Sequence, residues 1–325
     1  MSDQQIETTQ QSVSPEIGVL SLPLSVKAIL EYLTRQGFEA QYSGQPNVSI
    51  SGFSDPSRYE PGTAIWLGDI KYLHMAAAES YDKVTLLFAR SDLTGLGAFP
   101  SVITCADPRN AFMAVVEACA ANSRRSGIHP TAIIGSGAII DTTAAIGPHV
   151  VVEDGAVIGA DTVVEAGCVI TGNVTIGKRC HLFANVCIGA DGFGFRKLDN
   201  GEMRRLPHMG RVLIGDDVEI GACSVIDRGT FCDTIIGSGT KIDSLTNVGH
   251  NARIGETCLI IGGAIGGNST IGDQAEIIHA SLKNRINIGA GAKIGISSVV
   301  LRDVDAGAAC FGNPARKIRD SDGSK

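Results

Sequence analysis

The chain has 325 residues, enough for a full core and a second domain, and carries 27 Lys and Arg against 34 Asp and Glu. A net charge of −7 excludes the basic excess of a nucleic-acid-binding face, and no apolar run approaches the ~20 residues of a membrane span. Forty glycines with one Trp, five Tyr and ten Phe point to many tight corners and a core of Ile, Val and Ala rather than aromatics.

Residues 1–20 are polar, rich in Gln, Ser and Thr and without periodicity, and read as a disordered tail. A small α/β domain is expected over 21–122. Ser25 can cap a helix whose apolar residues Val26, Ile29, Leu30 and Leu33 share one face, with Gly37 at its end. β-rich runs follow at 48–53, 64–67, 84–89 and 102–104. Asp107 and Pro108 then open a second helix that reaches about Ala121, with Phe112, Val115, Val116 and Cys119 inside. A polar linker occupies 123–127.

After the linker the period becomes six. Ile128, Ile134, Ile140, Ile146, Val152, Ile158, Val164, Ile170, Ile176, Leu182 and Ile188 form an unbroken series that resumes at Ile214 and continues to Val300, often with Gly next in sequence. Helices need apolar spacings of three and four, and hairpin sheets need two. A period of six over roughly 170 residues predicts a parallel β-helix of hexapeptide repeats over 128–305, in roughly nine or ten coils of stacked strands. A short tail, 306–325, would follow. The fold class is therefore mainly β, a β-helix preceded by a small α/β domain.

The period breaks between Ile188 and Ile214, between Ile226 and Ile236, and at Ile260–Ile271 and Ile277–Ile288, each one residue short of two hexapeptides. A stacked prism gains nothing from such breaks, so loops and bulges there are candidates for building a site.

The residues that suggest chemistry lie in 241–255, KIDSLTNVGHNARIG. His250 can take a proton near neutral pH, and Asp243, on the neighbouring face of the same coil, is its candidate orienting carboxylate. Backbone amides at Gly267 and Asn268, about one coil later, can hold a developing oxyanion. The plainer alternative makes His250 a polar surface residue, as His74, His129, His149, His181, His208 and His279 are read. Histidine spacings that are not multiples of 18 argue against a zinc site, so no metal is expected. Nine scattered cysteines, without a C-x-x-C pair or a signal peptide, suggest reduced thiols in a cytoplasmic protein. Cys168, Cys180, Cys187, Cys223 and Cys258 are taken as small buried side chains of the repeat.

Three stretches carry a resemblance to a family: GADGFGF at 189–195, GRVLIGDDVEIGACSVIDRGTFCDTIIG at 210–237, and KIDSLTNVGHNARIG. With IWLGDIKY at 65–72 they resemble the UDP-3-O-(3-hydroxyacyl)glucosamine N-acyltransferases of lipid A biosynthesis, traced here from about 22 to 300. The resemblance implies a left-handed β-helix and a homotrimer with sites between adjacent prisms. It also implies transfer of an acyl group from an acyl carrier protein thioester to the amine of a UDP-linked glucosamine, with no cofactor. His250 would be the general base, Asp243 its partner and Asn268 the oxyanion contact. Trp66 and Tyr72 would stack on uracil, with Asp69 and Lys71 nearby; the alternative for Trp66 is core packing.

Three departures from the family pattern bear on substrate and donor. A second family histidine falls near Arg285, where arginine can hold a phosphate or carboxylate. About eleven residues follow Pro314, where the family has helices that contribute to carrier-protein binding. FGNPARKIR, at 311–319, looks more like the ending of acetyl-CoA-dependent sugar acetyltransferases, so Arg316 can contact either an acidic carrier protein or CoA phosphates. An acyl-CoA-dependent N-acetyltransferase acting on a UDP-amino sugar, and a non-catalytic nucleotide-sugar-binding β-helix, are the alternative readings.

Overall fold

The computed structural model describes residues 20–56, 60–68, 83–93, 96, 99–121 and 127–319. The chain divides into two compact units, Met1–Arg124 and Arg125–Lys325. The expected tail and linker lie outside the described residues, apart from Leu20 and Gly127.

In the first unit the Ser25 hydroxyl accepts the Ala28 N–H at 3.2 Å and caps helix α1 (Val26–Arg35), which buries Val26, Ile29 and Leu33. Asp107 does the same for Asn110, at 3.1 Å, ahead of α2 (Pro108–Ala121). A five-stranded sheet runs in the order Gln41–Gly44, Ser101–Cys105, Leu86–Arg90, Thr63–Leu67, Gly52–Phe53. It is parallel except at the Gln41–Gly44 edge. Phe112 of α2 meets Phe53 and Phe88 edge-on, with ring centroids 5.4 Å apart in each pair. The run at 48–53 is split: Ser49–Ile50 pairs with Leu24–Ser25, and only Gly52–Phe53 joins the main sheet. The polar strand Gln41–Gly44 carries no β-branched residue and so gives no strand signal in sequence.

The second unit is the parallel β-helix. Its core is three columns of aliphatic side chains, one per face. Ile128, Ile146, Val164, Leu182, Ile220, Ile242, Ile260, Ile277, Ile294 and Cys310 stack on the first face. Ile134, Val152, Ile170, Ile188, Ile226, Val248, Ile265, Leu282 and Val300 stack on the second. The third carries Ile140, Ile158, Ile176, Ile214, Ile236, Ile254, Ile271 and Ile288. Apart from the first coil, nearly all of these side chains are fully buried, each contributing about 1.5–3 kcal/mol of apolar burial.

Small interior residues close the corners. Thr162 and Thr240 donate to Gly177 and Gly255 carbonyls at 2.9 and 2.8 Å, and buried Cys168 and Cys180 lie 3.1 Å from Phe183 and Gly215 carbonyls. Burial pushes the Cys168 thiol up to about 11, so it is inert at neutral pH. Cys187 is only half-buried, and Cys223 is exposed at a left-handed corner with φ +60°.

The breaks in period have distinct structural outcomes. The shortened coils lose the corner between the first and second faces. Leu259–Ile265 and Glu276–Leu282 run straight through it as single strands, bent at Gly262, Gly263 and His279, all with positive φ. The long gap leaves the prism as a loop carrying an antiparallel hairpin, Phe195–Lys197 with Met203–Arg205. The β-helix also continues past residue 305. Ala309–Phe311 adds to the first face, and Arg316–Arg319 folds back antiparallel onto it.

Candidate active site

His250 stands at the corner that follows Val248 of the second face, and its ring opens on a groove of about 460 Å³ shared with Asn268, Lys283, Asn284 and Arg285. Its tautomer follows from its neighbours. Asn251 Oδ1 accepts the Thr230 backbone N–H at 3.1 Å, while Asn251 Nδ2 donates to the Cys232 carbonyl at 3.0 Å. That fixes the amide orientation. His250 Nδ1, 3.0 Å from the same Oδ1, must therefore carry the proton, leaving Nε2 as a free lone pair. Nε2 faces Gly267, where an added Cβ would lie 3.0 Å away.

The carboxylate whose field reaches His250 is Asp227. It follows Ile226 one coil earlier, as Gly249 follows Val248. Burial pushes its carboxyl up to about 6; the neighbouring Asp191 adds to the rise and His250 opposes it. Asp191 is itself tied to Arg228 at 2.7 Å.

The second imidazole is His208, brought in by the long loop, its ring edge-on to His250 with centroids 5.2 Å apart. His208 is 3% exposed. Its Nδ1 donates to the Leu206 carbonyl at 3.1 Å, and among the described residues its buried Nε2 has no partner. Burial, with His250 close by, holds His208 below its ordinary value and so neutral. Gly192 fits between the two rings: a Cβ there would lie 3.0 Å from His250 Cβ and Cδ2 and 3.1 Å from His208 Nε2.

The expected residues divide accordingly. His250, Asn268 and Arg285 line one groove, with Gly267 against the His250 ring. Asp243 does not join them. It is exposed, accepts the Ser244 N–H at 2.8 Å, and lines a separate groove with Phe183, Lys241, Leu259 and Ile261, because it follows Ile242 on a different corner of the coil. The Asn268 amide, expected to hold an oxyanion, donates instead to the His250 carbonyl at 2.8 Å as part of the coil-to-coil ladder. The Gly267 amide is held at 3.0 Å by a side chain, Asn284 Oδ1, an acceptor that can rotate away.

Arg316 lines a third cavity with Leu301, Asp303 and Lys317, away from His250. Trp66 is half-buried in the first unit, with the Arg109 guanidinium 5.8 Å over its ring. Asp69, Lys71 and Tyr72 lie outside the described residues. His208, expected as a polar surface residue, is instead buried against His250, and Asp227 and Asn251 carry no signal in the sequence that marks them for the site. Histidine spacing counted along the coils misplaces His208, because its loop leaves the prism and returns. Among the described residues no group of three or more His, Cys, Asp or Glu is placed to hold a metal.

Stacked hexapeptide coils with a histidine at a corner groove define a protein of the hexapeptide-repeat β-helix class, the class of the acyltransferases with which the structure superposes. The UDP-N-acetylglucosamine O-acyltransferase of Moraxella catarrhalis matches with a TM-score of 0.55 at 28% identity, over 60% of this chain and 74% of that one. In sequence the chain is related to the UDP-3-O-acylglucosamine N-acyltransferases. That of Methylorubrum extorquens is 41% identical over 136 residues, 40% of this chain and 37% of the relative. That of Campylobacter lari is 51% identical over 84 residues, 26% of either chain. The matched stretch thus spans well under half the length of these relatives, and is shorter than the 22–300 over which the motifs were traced. No protein-family model matches the chain.

Proposed function

We propose that the protein is an N-acyltransferase that moves an acyl group from a thioester donor to the amine of a UDP-linked glucosamine derivative, as in lipid A biosynthesis. The observation that carries this reading is the His250 tautomer: Nδ1–H is held by Asn251, and a free Nε2 opens on a groove with an amide donor opposite. Nε2 accepts the proton of the attacking amine as the C–N bond forms. The Gly267 N–H, exchanging Asn284 Oδ1 for substrate, holds the thioester oxygen as it becomes negative. The C–S bond then breaks and the leaving thiolate takes the proton from His250. Ionised Asp227 stabilises the imidazolium in between, and neutral His208 adds no competing charge.

Arg285, in the same groove, suits a phosphate of the nucleotide sugar. Trp66 packs in part against the core of the first unit and is the partly exposed aromatic side chain offered to a nucleobase in this reading. The 3-hydroxyacyl donor is a carrier-protein thioester, and the working assembly is a homotrimer in the cytoplasm.

Purified protein is incubated with UDP-3-O-acylglucosamine and either a 3-hydroxyacyl carrier protein or the corresponding acyl-CoA, and the product mass is followed. Addition of one acyl group to the sugar is expected with the carrier-protein donor. His250→Ala should lower the rate by about 10²–10⁴ while nucleotide-sugar binding survives. Turnover with CoA donors alone would overturn the carrier-protein assignment, and an unchanged rate in His250→Ala would overturn the base.

A further inference from the structure

The loop that supplies Gly192 and His208 also carries the hairpin Phe195–Lys197/Met203–Arg205, which the mechanism does not use. Arg196 and Arg204 stand directly opposite each other across this two-stranded ribbon, on one face. Like charges in directly opposed positions are destabilising, and a two-stranded ribbon is marginal to begin with. Among the described residues neither arginine side chain has an ion-pair or hydrogen-bond partner, and both are exposed. Lys197 and Arg205 project from the other face, Arg205 lying 5.0 Å over the Phe195 ring. Asp199 and Glu202 lie in the turn. Exposed apolar side chains flank the cations: Phe193 is 86% exposed, Met209 73% and Met203 58%. A chain of net charge −7 thus exposes a cationic and apolar ribbon at its candidate active site.

The ribbon is fastened to the chemistry. At its base the Leu206 N–H donates to the Gly194 carbonyl at 2.9 Å, Arg205 reaches the Gly192 carbonyl at 3.4 Å, and His208 and Gly192 pack on His250. A partner held by the ribbon is held beside the base.

We infer that this hairpin is the docking element for the acyl donor's carrier protein, recognised through an acidic surface with apolar contacts. This inference rests on the thioester-transfer reading of the His250 site. Opposed arginines without acceptors are the electrostatic complement of a carboxylate-rich surface, and exposed Phe and Met supply the apolar contact that holds such an encounter. An anionic bilayer fits less well. A flat surface meets one face of a two-stranded ribbon, whereas cations here project from both faces and suit a partner that wraps around the ribbon. The acidic body of the protein would repel the same partner elsewhere, which favours this approach.

The test uses the full chain and the exposed double variant Arg196→Glu/Arg204→Glu, with Arg196→Ser/Arg204→Ser as a neutral control; thermal melting verifies the fold of each. Calorimetric binding of 3-hydroxyacyl carrier protein is measured without turnover, and steady-state rates are measured with the carrier protein and with the corresponding acyl-CoA. Expected are a loss of about tenfold or more in carrier-protein affinity and a matching rise in KM, larger for Glu than for Ser and diminished by salt. kcat at saturation and acyl-CoA rates should be unchanged. Equal carrier-protein binding by variant and wild type overturns the proposal. So does an equal loss with acyl-CoA, which marks a phosphate site, or a loss confined to phosphatidylglycerol vesicles, which marks a membrane contact. Carrier-protein binding that depends on the hairpin but yields no acyl transfer by the wild type would support the docking site while refuting the proposed reaction.

Discussion

Asp227 shows how one side chain trades stability for chemistry. Its folded-state carboxyl titrates at about 6, above its ordinary carboxylate range, chiefly because burial penalises the charge. The folded state therefore binds the proton more tightly than the unfolded chain. Asp227 costs nothing below the unfolded value, and stability falls as pH rises from there through about 6. At pH 7 Asp227→Asn should stabilise the protein by about 1 kcal/mol after allowance for water around the partly exposed group, measured by chemical denaturation. The same variant should lose about tenfold in kcat, since the imidazolium formed at His250 loses its counter-charge. Wild-type activity should fall as pH drops through about 6, where Asp227 takes up its proton. A variant that is no more stable, or that keeps full activity, would remove Asp227 from the site.

At the scale of elements, the repeating columns were legible because each rung repeats one physical requirement: a branched aliphatic inside and a small residue at the corner. The site was less legible because it is built where that requirement lapses. His250 could be singled out since its stretch keeps the period, but a coil-by-coil count cannot register His208, whose loop leaves the prism and returns. The sequence pairs Asp243 with His250 because it lies on the neighbouring face of the same coil, and within one chain it lines a separate groove. In a prism, coils touch through residues one coil apart, as Ile226 pairs with Val248, which is why Asp227 and Thr230 reach His250 and, within one chain, Asp243 does not. Gly192 tests the loop as an element. A Cβ there would lie 3.0–3.1 Å from both imidazoles, so in Gly192→Ala the rings or the loop must give by a few tenths of an ångström. Since the 189–210 segment lies largely outside the aliphatic core, the melting temperature should change little while kcat drops at least about tenfold. Full activity in Gly192→Ala would mean that the loop does not position the base.

The whole molecule returns Asp243 to the question in another way. Within one chain Asp243 and His250 occupy different corners of the same coil, separated by one prism edge of roughly 15 Å. The groove of Asp243 is open and partly apolar, lined by Phe183, Leu259 and Ile261. If three copies associate as proposed, one copy's Asp243 groove can face the next copy's His250 groove, and each site draws on two chains. Closed threefold symmetry then makes a sharp forecast. His250→Ala and Asp243→Ala should each be strongly impaired as pure proteins. Unfolded together and refolded as a mixture, every mixed trimer contains one interface at which an intact His250 meets an intact Asp243. Random assembly in equal amounts therefore restores about a quarter of wild-type activity. Refolding each variant alone and then mixing should restore none unless subunits exchange. Absence of recovery from the co-refolded mixture, with trimers verified by light scattering, would keep the site within a single chain. Full activity in Asp243→Ala alone would leave the second groove with no part in the reaction.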